Sequence, residues 1–169
     1  QHDFPARFQL IAAMNPCPCG YLGDPRGDCG CSAERVATYR SKVSGPLLDR
    51  IDLHVEVRRP PRAALRDDGP AGEPSRKVAA RVARARRRQL RRNGTCNARL
   101  DGAQLGAACV LRKEPLALLE NATDKFNLSA RAYQRVRRVA RTIADLAGSE
   151  DIDTAHVAEA LSLRQLDKK

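Results

Sequence analysis

Four cysteines crowd one short stretch of the 169-residue chain, as Cys17-Pro18-Cys19 and Cys29-Gly30-Cys31. A C-x-C pair does not readily close on itself, but two such pairs joined by a turn-rich loop can offer four thiolates to one tetrahedral Zn²⁺. Gly20, Gly23, Gly27 and Gly30 supply the tight bends that such a loop needs. The alternative is four reduced thiols on a surface loop. Disulfides are not expected where no secretory leader precedes the motif. Cys96 and Cys109 stand apart in helical-looking sequence.

Three further positions carry groups suited to phosphate chemistry. Asn15 follows the apolar run Phe8-Gln9-Leu10-Ile11-Ala12-Ala13-Met14, where its amide can orient a water or a terminal phosphate. Arg50 ends Ser44-Gly45-Pro46-Leu47-Leu48-Asp49-Arg50, and Arg131 falls in Leu128-Ser129-Ala130-Arg131 at a helix start. A guanidinium at either place can neutralise charge growing on a transferring phosphoryl group. The plainer readings are a loop turn for Asn15, a local pair with Asp49 or Asp52 for Arg50, and a solvated surface charge for Arg131. His2, His54 and His156 are isolated, and the latter two are expected to be structural or exposed. No G-x-x-x-x-G-K-[ST] motif occurs, so the sequence holds no phosphate cradle of the P-loop kind.

The charge balance points to a polyanionic partner. There are 31 Lys and Arg against 20 Asp and Glu, a formal charge of +11. It is concentrated, because Arg76 to Arg92 holds nine Lys or Arg and no acid. A merely solvated basic helix face is the alternative. No apolar run approaches the roughly 20 residues that a membrane span requires, so a soluble, cytoplasmic protein with no membrane partner is expected. The chain opens on Gln1 rather than Met, which suggests a piece of a longer protein.

The elements that must position these groups follow from pattern. Arg7 to Met14 reads as a buried strand that ends at Asn15-Pro16. Ser32 suits the N-cap of a helix over about 33–42, which Ser44-Gly45-Pro46 stops before a turn. Ile51 to Val57 alternates apolar and polar residues, as a strand with one buried face does. Residues from Pro60 to Pro74 read as a linker. Beyond it nothing resembles a strand. An amphipathic basic helix over 75–92 places Val78, Val82, Ala85 and Gln89 on one stripe and ends at Asn93-Gly94. A short helix follows near 101–108, and Pro115 opens another that runs towards Phe126. Ser129 caps a long helix with the stripe Ala132, Val136, Val139, Ile143 and Leu146, ending at Gly148. Asp153 caps the last helix, with Ile152 and Val157 as its hydrophobic staple.

Three ordered blocks then resemble one family. They are Phe8 to Gly20, Ser44 to Asp52, and Leu128 to Tyr133 with Arg138 to Leu146, and they are similar to the magnesium-chelatase-like AAA+ ATPases of the ComM/YifB type. The resemblance covers nearly the whole chain. It implies an α/β remnant of the AAA+ core, with few strands plus a helix, followed by an all-α helical lid domain. The expected divisions are 1–60 for the core part with its cysteine-rich loop, 61–74 for the linker and 75–169 for the lid. By resemblance Asn15 looks like the sensor-1 residue, Arg50 like the arginine finger offered to a neighbouring subunit, and Arg131 like the sensor-2 arginine. Asn15 and Arg131 would touch the nucleotide; the Zn²⁺ suggested by the spacing of Cys17, Cys19, Cys29 and Cys31 would then be structural rather than catalytic.

The resemblance further implies a hexameric, DNA-translocating motor in DNA uptake and recombination, with ATP and Mg²⁺ as cofactors and DNA and its own copies as partners. The Walker A and Walker B strands would precede this stretch, so the isolated piece is expected to be inactive. Two other readings stand beside it. One is a non-catalytic, zinc-stabilised nucleic-acid-binding module that grips phosphates with the Arg76 to Arg92 helix. The other is an oligomerisation or interaction domain.

Overall fold

The structure, a computed structural model, describes residues 2, 8–25, 27–60 and 72–164. It divides into two compact units, Gln1–Ser44 and Gly45–Lys169. In the first, the cysteine loop leads into α1 (Ala33–Arg40). The Ser32 hydroxyl accepts from the Arg35 amide at 3.3 Å and caps the helix as its sequence position requires. Arg40 Nε donates to the Pro16 carbonyl at 3.2 Å, which ties the helix back to the start of the loop.

The second unit is helical. Its elements are α2 (Gly45–Arg50), α3 (Ser75–Asn93), a 3₁₀ turn (Asn97–Arg99), α4 (Gly102–Ala108), α5 (Lys113–Phe126), α6 (Ala130–Ala147) and α7 (Thr154–Ser162). The core is one cluster drawn from α4, α5, α6, α7 and the residues before α7, around Leu105, Leu119, Val136, Ala140, Ile152 and Val157. Ile152 and Val157 are 1% and 0% exposed and close the entry to α7 as a staple. Burying a side chain of this size stabilises by about 1.5–3 kcal/mol. The expected cap is in place at Ser129, and α4 gains one at Asp101, whose carboxylate accepts from the Gln104 amide at 2.8 Å.

Among the described residues no strand forms, which corrects both strand expectations. Residues 8–14 carry Phe8, Leu10, Ile11 and Met14 at 46–84% exposure, while Arg7 lies outside the described residues. A strand needs a neighbour to pair its backbone groups, and none of the described residues offers these a ladder. Over 51–57 the pairing is a single bridge, His54 with Arg164, with the His54 amide donating to the Leu163 carbonyl at 2.6 Å. That bridge turns His54 inward, to 7% exposure, and leaves Leu53, Val55 and Val57 in solvent, the reverse of the alternation expected. The turn expected after Ser44 is the short helix α2, because Pro46 fits a first helical turn. Of the linker expected over 61–74, residues 61–71 lie outside the described residues.

Helix α6 is rotated relative to its expected stripe. Ala132, Val136, Ala140 and Ala144 are buried, Val139 and Ile143 are half-buried, and Leu146 is 38% exposed. The cause is a polar group on the neighbouring arc. Asp145, 0% exposed, accepts from both terminal nitrogens of Arg92 at 2.7 and 2.8 Å and from Asn97 Nδ2 at 2.8 Å. Arg141 Nη2 lies 3.2 Å from the same carboxylate and also donates to the Ser149 carbonyl. Gln89, on α3, accepts from the Asn97 amide. The stripe expected on α3 is therefore buried only at Ala85 and Gln89, and Val82 is 51% exposed. Gly148 ends α6 at φ +87, with Arg88 Nη2 3.1 Å from where a Cβ would stand, so only glycine suits this turn.

Burial alone would push the Asp145 carboxyl up, but hydrogen bonds from Arg92 and Asn97 and the charge of Arg141 outweigh it and hold it below its ordinary 3.8. An acid lowered on folding stabilises the fold above its unfolded value, and that contribution fades as pH falls through the folded one. Asp145→Ala should lower stability by about 3–5 kcal/mol at neutral pH, since two arginines would lose their counter-charge. Urea unfolding of both chains checks it: the gap should narrow below pH 3.8, and equal midpoints at neutral pH would contradict it.

Candidate functional site

The cysteine loop folds because its short-range bonds reverse the chain repeatedly. The Gly20 amide donates to the Cys17 carbonyl, the Asp24 amide to Tyr21, and the Gly27 amide to Asp24, each at 3.0 Å. Gly20 has φ +82, where a side chain would be strained, and a Cβ there would meet the Asn15 amide group at 3.7 Å. The result brings the sulfurs of Cys17, Cys19, Cys29 and Cys31 within 4.8 Å of one another. Cys17 is buried and lies 3.3 Å from Cys19 and 3.8 Å from Cys29, and Cys19 is 3.6 Å from Cys29.

A Zn–S bond of about 2.3 Å in a tetrahedron sets sulfurs about 3.8 Å apart, so the cluster fits one metal ion. Its electrostatics agree. Burial works against the Cys17 thiolate, but hydrogen bonds from Cys19, the Leu22 backbone and Cys29 outweigh it and bring its pKa from 9.0 down to about 6. At Cys29 the Cys31 backbone favours the thiolate, yet burial, the bonds to Cys19 and Cys17, and the Cys17 charge push it up to about 11. One thiolate thus opposes the next, and a divalent cation would relieve that repulsion.

Asn15 belongs to the same unit and is exposed beside this loop. Arg50 and Arg131 belong to the second unit. Arg50 is the last residue of α2 and Arg131 lies in the first turn of α6, and both are exposed. Two acids beside Arg50 hold α2 and the chain after it against α6. Asp49 accepts from the Ser129 hydroxyl at 2.9 Å, and Asp52 pairs with Arg135. Arg164, 2% exposed, reaches Asp49 at 3.8 Å and the Ile51 carbonyl at 2.9 Å. The local pairing considered for Arg50 is therefore not formed: its Nη1 donates to the Pro46 carbonyl at 3.0 Å while both acids serve other residues.

Pattern reading missed these tethers. Ser129 was legible as a cap, but its second role as donor to Asp49 crosses 80 positions and leaves no local signal. The buried Arg141 had one, since Asp145 lies four residues on along the same helix. His54 is buried rather than solvent-facing, and His156 accepts from the Asp153 amide through Nδ1 at 3.0 Å as part of the cap of α7.

This helical unit, preceded by a cysteine-rich loop, defines a class. The family model described as magnesium chelatase, subunit ChlI C-terminal, matches residues 72–164, and the one described as magnesium chelatase, subunit ChlI, matches residues 1–65. The chain belongs to the magnesium chelatase subunit ChlI C-terminal family, whose model spans more than half of it. Among relatives, the protein YifB of Salmonella typhimurium is 43% identical over 98% of this chain, and the competence protein ComM of Haemophilus influenzae is 42% identical over 97%. YifB of Escherichia coli is 43% identical over 98%. The chain spans about a third of these relatives, 32% of each.

Replacing Asp49 with Ala should release α2 from the start of α6 and remove a carboxylate partner of Arg164, a loss of about 1–3 kcal/mol. Amide exchange of Leu48 to Ile51 should then accelerate while α5 keeps its protection. Unchanged exchange in α2 would show that the tether does not hold it.

Proposed function

We propose that the chain is the C-terminal part of an AAA+ ATPase that assembles into a hexameric ring. In this reading residues 1–60 complete the ATPase core, 61–74 link, and 75–169 form the lid. Asn15 serves as sensor 1, Arg50 as the arginine finger presented to the neighbouring subunit, and Arg131 as sensor 2. The observation that carries the reading is the state of Arg50. Both acids beside it are committed to α6, so its guanidinium stands in solvent with its charge uncompensated by Asp49 or Asp52. Arg131 supports it, since an exposed cation in the first turn of an 18-residue helix adds to the positive end of the helix dipole.

ATP with Mg²⁺, bound by the whole protein, supplies the phosphoryl chemistry. The part played by this chain is electrostatic: Arg50 and Arg131 neutralise charge and Asn15 orients. Because α2 is fastened to the first turn of α6 in the same unit, a shift of the lid would carry Arg50 with it, which couples finger placement to lid position. DNA is the proposed substrate, in uptake and recombination in the cytoplasm. The name competence protein, borne by the Haemophilus relative, supports this, as does the +11 charge. Among the described residues no helix is long and apolar enough to cross a membrane.

The cysteine cluster is proposed to hold one Zn²⁺ as a staple for a loop that buries little else than Cys17. A zinc-stabilised nucleic-acid module without catalysis is the second reading, favoured by the same cluster together with the acid-free helix α3.

In the full-length protein, Arg50→Ala should lower ATP turnover by about 10³–10⁵ without loss of nucleotide binding. Turnover unchanged by that substitution would favour an interaction domain. Protein purified without chelator should carry one zinc per chain. Less than half an equivalent in a folded chain would remove the metal from the reading.

A further inference from the structure

Helix α3 carries, from its first turn to its last, cations that neither the fold nor the proposed ATPase site uses. At 3.6 residues per turn, Arg76, Arg87, Arg91, Arg84 and Lys77 fall in that order within an arc of about 100°. All five are exposed, and none makes an ion pair or side-chain hydrogen bond with a described residue. The next arc round the helix is engaged. Arg81 makes a two-bond pair with Glu73, Arg88 donates to the Asp145 carbonyl, and Arg92 holds the Asp145 carboxylate. Beyond these lie the buried Ala85 and Gln89. The engaged arginines therefore fix the rotation of α3, and of the six cations left over these five point away from the core as a continuous ridge, while Arg86 lies outside their arc.

We propose that this ridge, Arg76, Lys77, Arg84, Arg87 and Arg91, is a docking surface for the phosphate backbone of duplex DNA. It takes its partner from the function proposed above, but it is a surface separate from Asn15, Arg50 and Arg131. From Arg76 to Arg91 the helix rises about 22 Å, a length over which a duplex presents about 13 phosphate charges. The arc holds no acid and no aromatic residue. Single-strand binding relies on aromatic stacking, and protein interfaces on aromatic or apolar anchors, so a duplex read through its backbone is the polyanion that fits. Recognition of this kind is independent of sequence.

The test is fluorescence anisotropy of the 169-residue chain with a labelled duplex of mixed sequence, titrated across salt. Five phosphate contacts give a slope of log affinity on log salt of about −4.5, hence an approximately 500-fold loss of affinity between about 50 and 200 mM. Arg84→Gln, Arg87→Gln and Arg91→Gln together should reduce the slope to about −1.8 and the loss to about 12-fold. The three Lys replacements should restore the slope, because charge is what the backbone reads. Arg112→Gln, whose exposed pair with Asp151 lies elsewhere, should change nothing. Since the substituted positions are exposed, the urea midpoint should stay put and separates lost binding from lost folding. No binding at 50 mM, a slope unaffected by the Gln substitutions, or equal binding to polyglutamate would overturn the proposal. Any of these results leaves the dependence of ATP turnover on Arg50 as a separate question.

Discussion

The helical unit depends on one buried carboxylate. Asp145 takes hydrogen bonds from α3 through Arg92 and from the 3₁₀ turn through Asn97, and it faces Arg141 on its own helix. Helix α3 is too basic to pack by hydrophobic burial, since only Ala85 and Gln89 are buried along its 19 residues. The ionic clamp does that work instead. It also explains why α6 turns a polar arc inward at the cost of exposing Leu146. Removing one partner of such a buried pair would leave a charge uncompensated inside the protein, which makes the clamp costly to break.

Fixing α6 has a consequence at its other end. Ser129 at its N-cap and Arg135 on its second turn hold Asp49 and Asp52, so the rotation that Asp145 imposes is passed along the helix to α2 and the chain beyond it. Arg50 owes its exposure to that arrangement. With Asp49 held by Ser129 and Asp52 by Arg135, the guanidinium donates to the Pro46 carbonyl rather than pairing with either acid. The engaged arginines of α3 and the free ones are separated in the same way, by which side of the helix faces the clamp.

The cysteine loop is a separate solution to a separate problem. With Cys17 as the one buried side chain among the described residues from 8 to 40, it has little apolar surface to bury, and residues 8–14 form no ladder with any described residue. Backbone turns bring four sulfurs into one cluster, and the mutual repulsion of their charged forms gives a metal ion a reason to be there.

Helix boundaries, caps and the staple were written in the sequence, because Ser32, Ser129, Asp153 and the Ile152–Val157 pair act over three to five residues. The cysteine cluster was equally legible, since its spacing is its geometry. Strand formation was not: Phe8 to Met14 and Ile51 to Val57 have the right residue types, but a strand exists only with a neighbour, and a single bridge at His54 decided which face turned inward. The face of α6 was likewise beyond pattern. Apolar periodicity located a stripe, whereas the bonds that set the rotation, Arg92 to Asp145 and Ser129 to Asp49, span 53 and 80 positions. Sequence determines what short contacts can enforce, and the tertiary fold alone determines which distant charges meet, because a charge selects its partner by proximity in space.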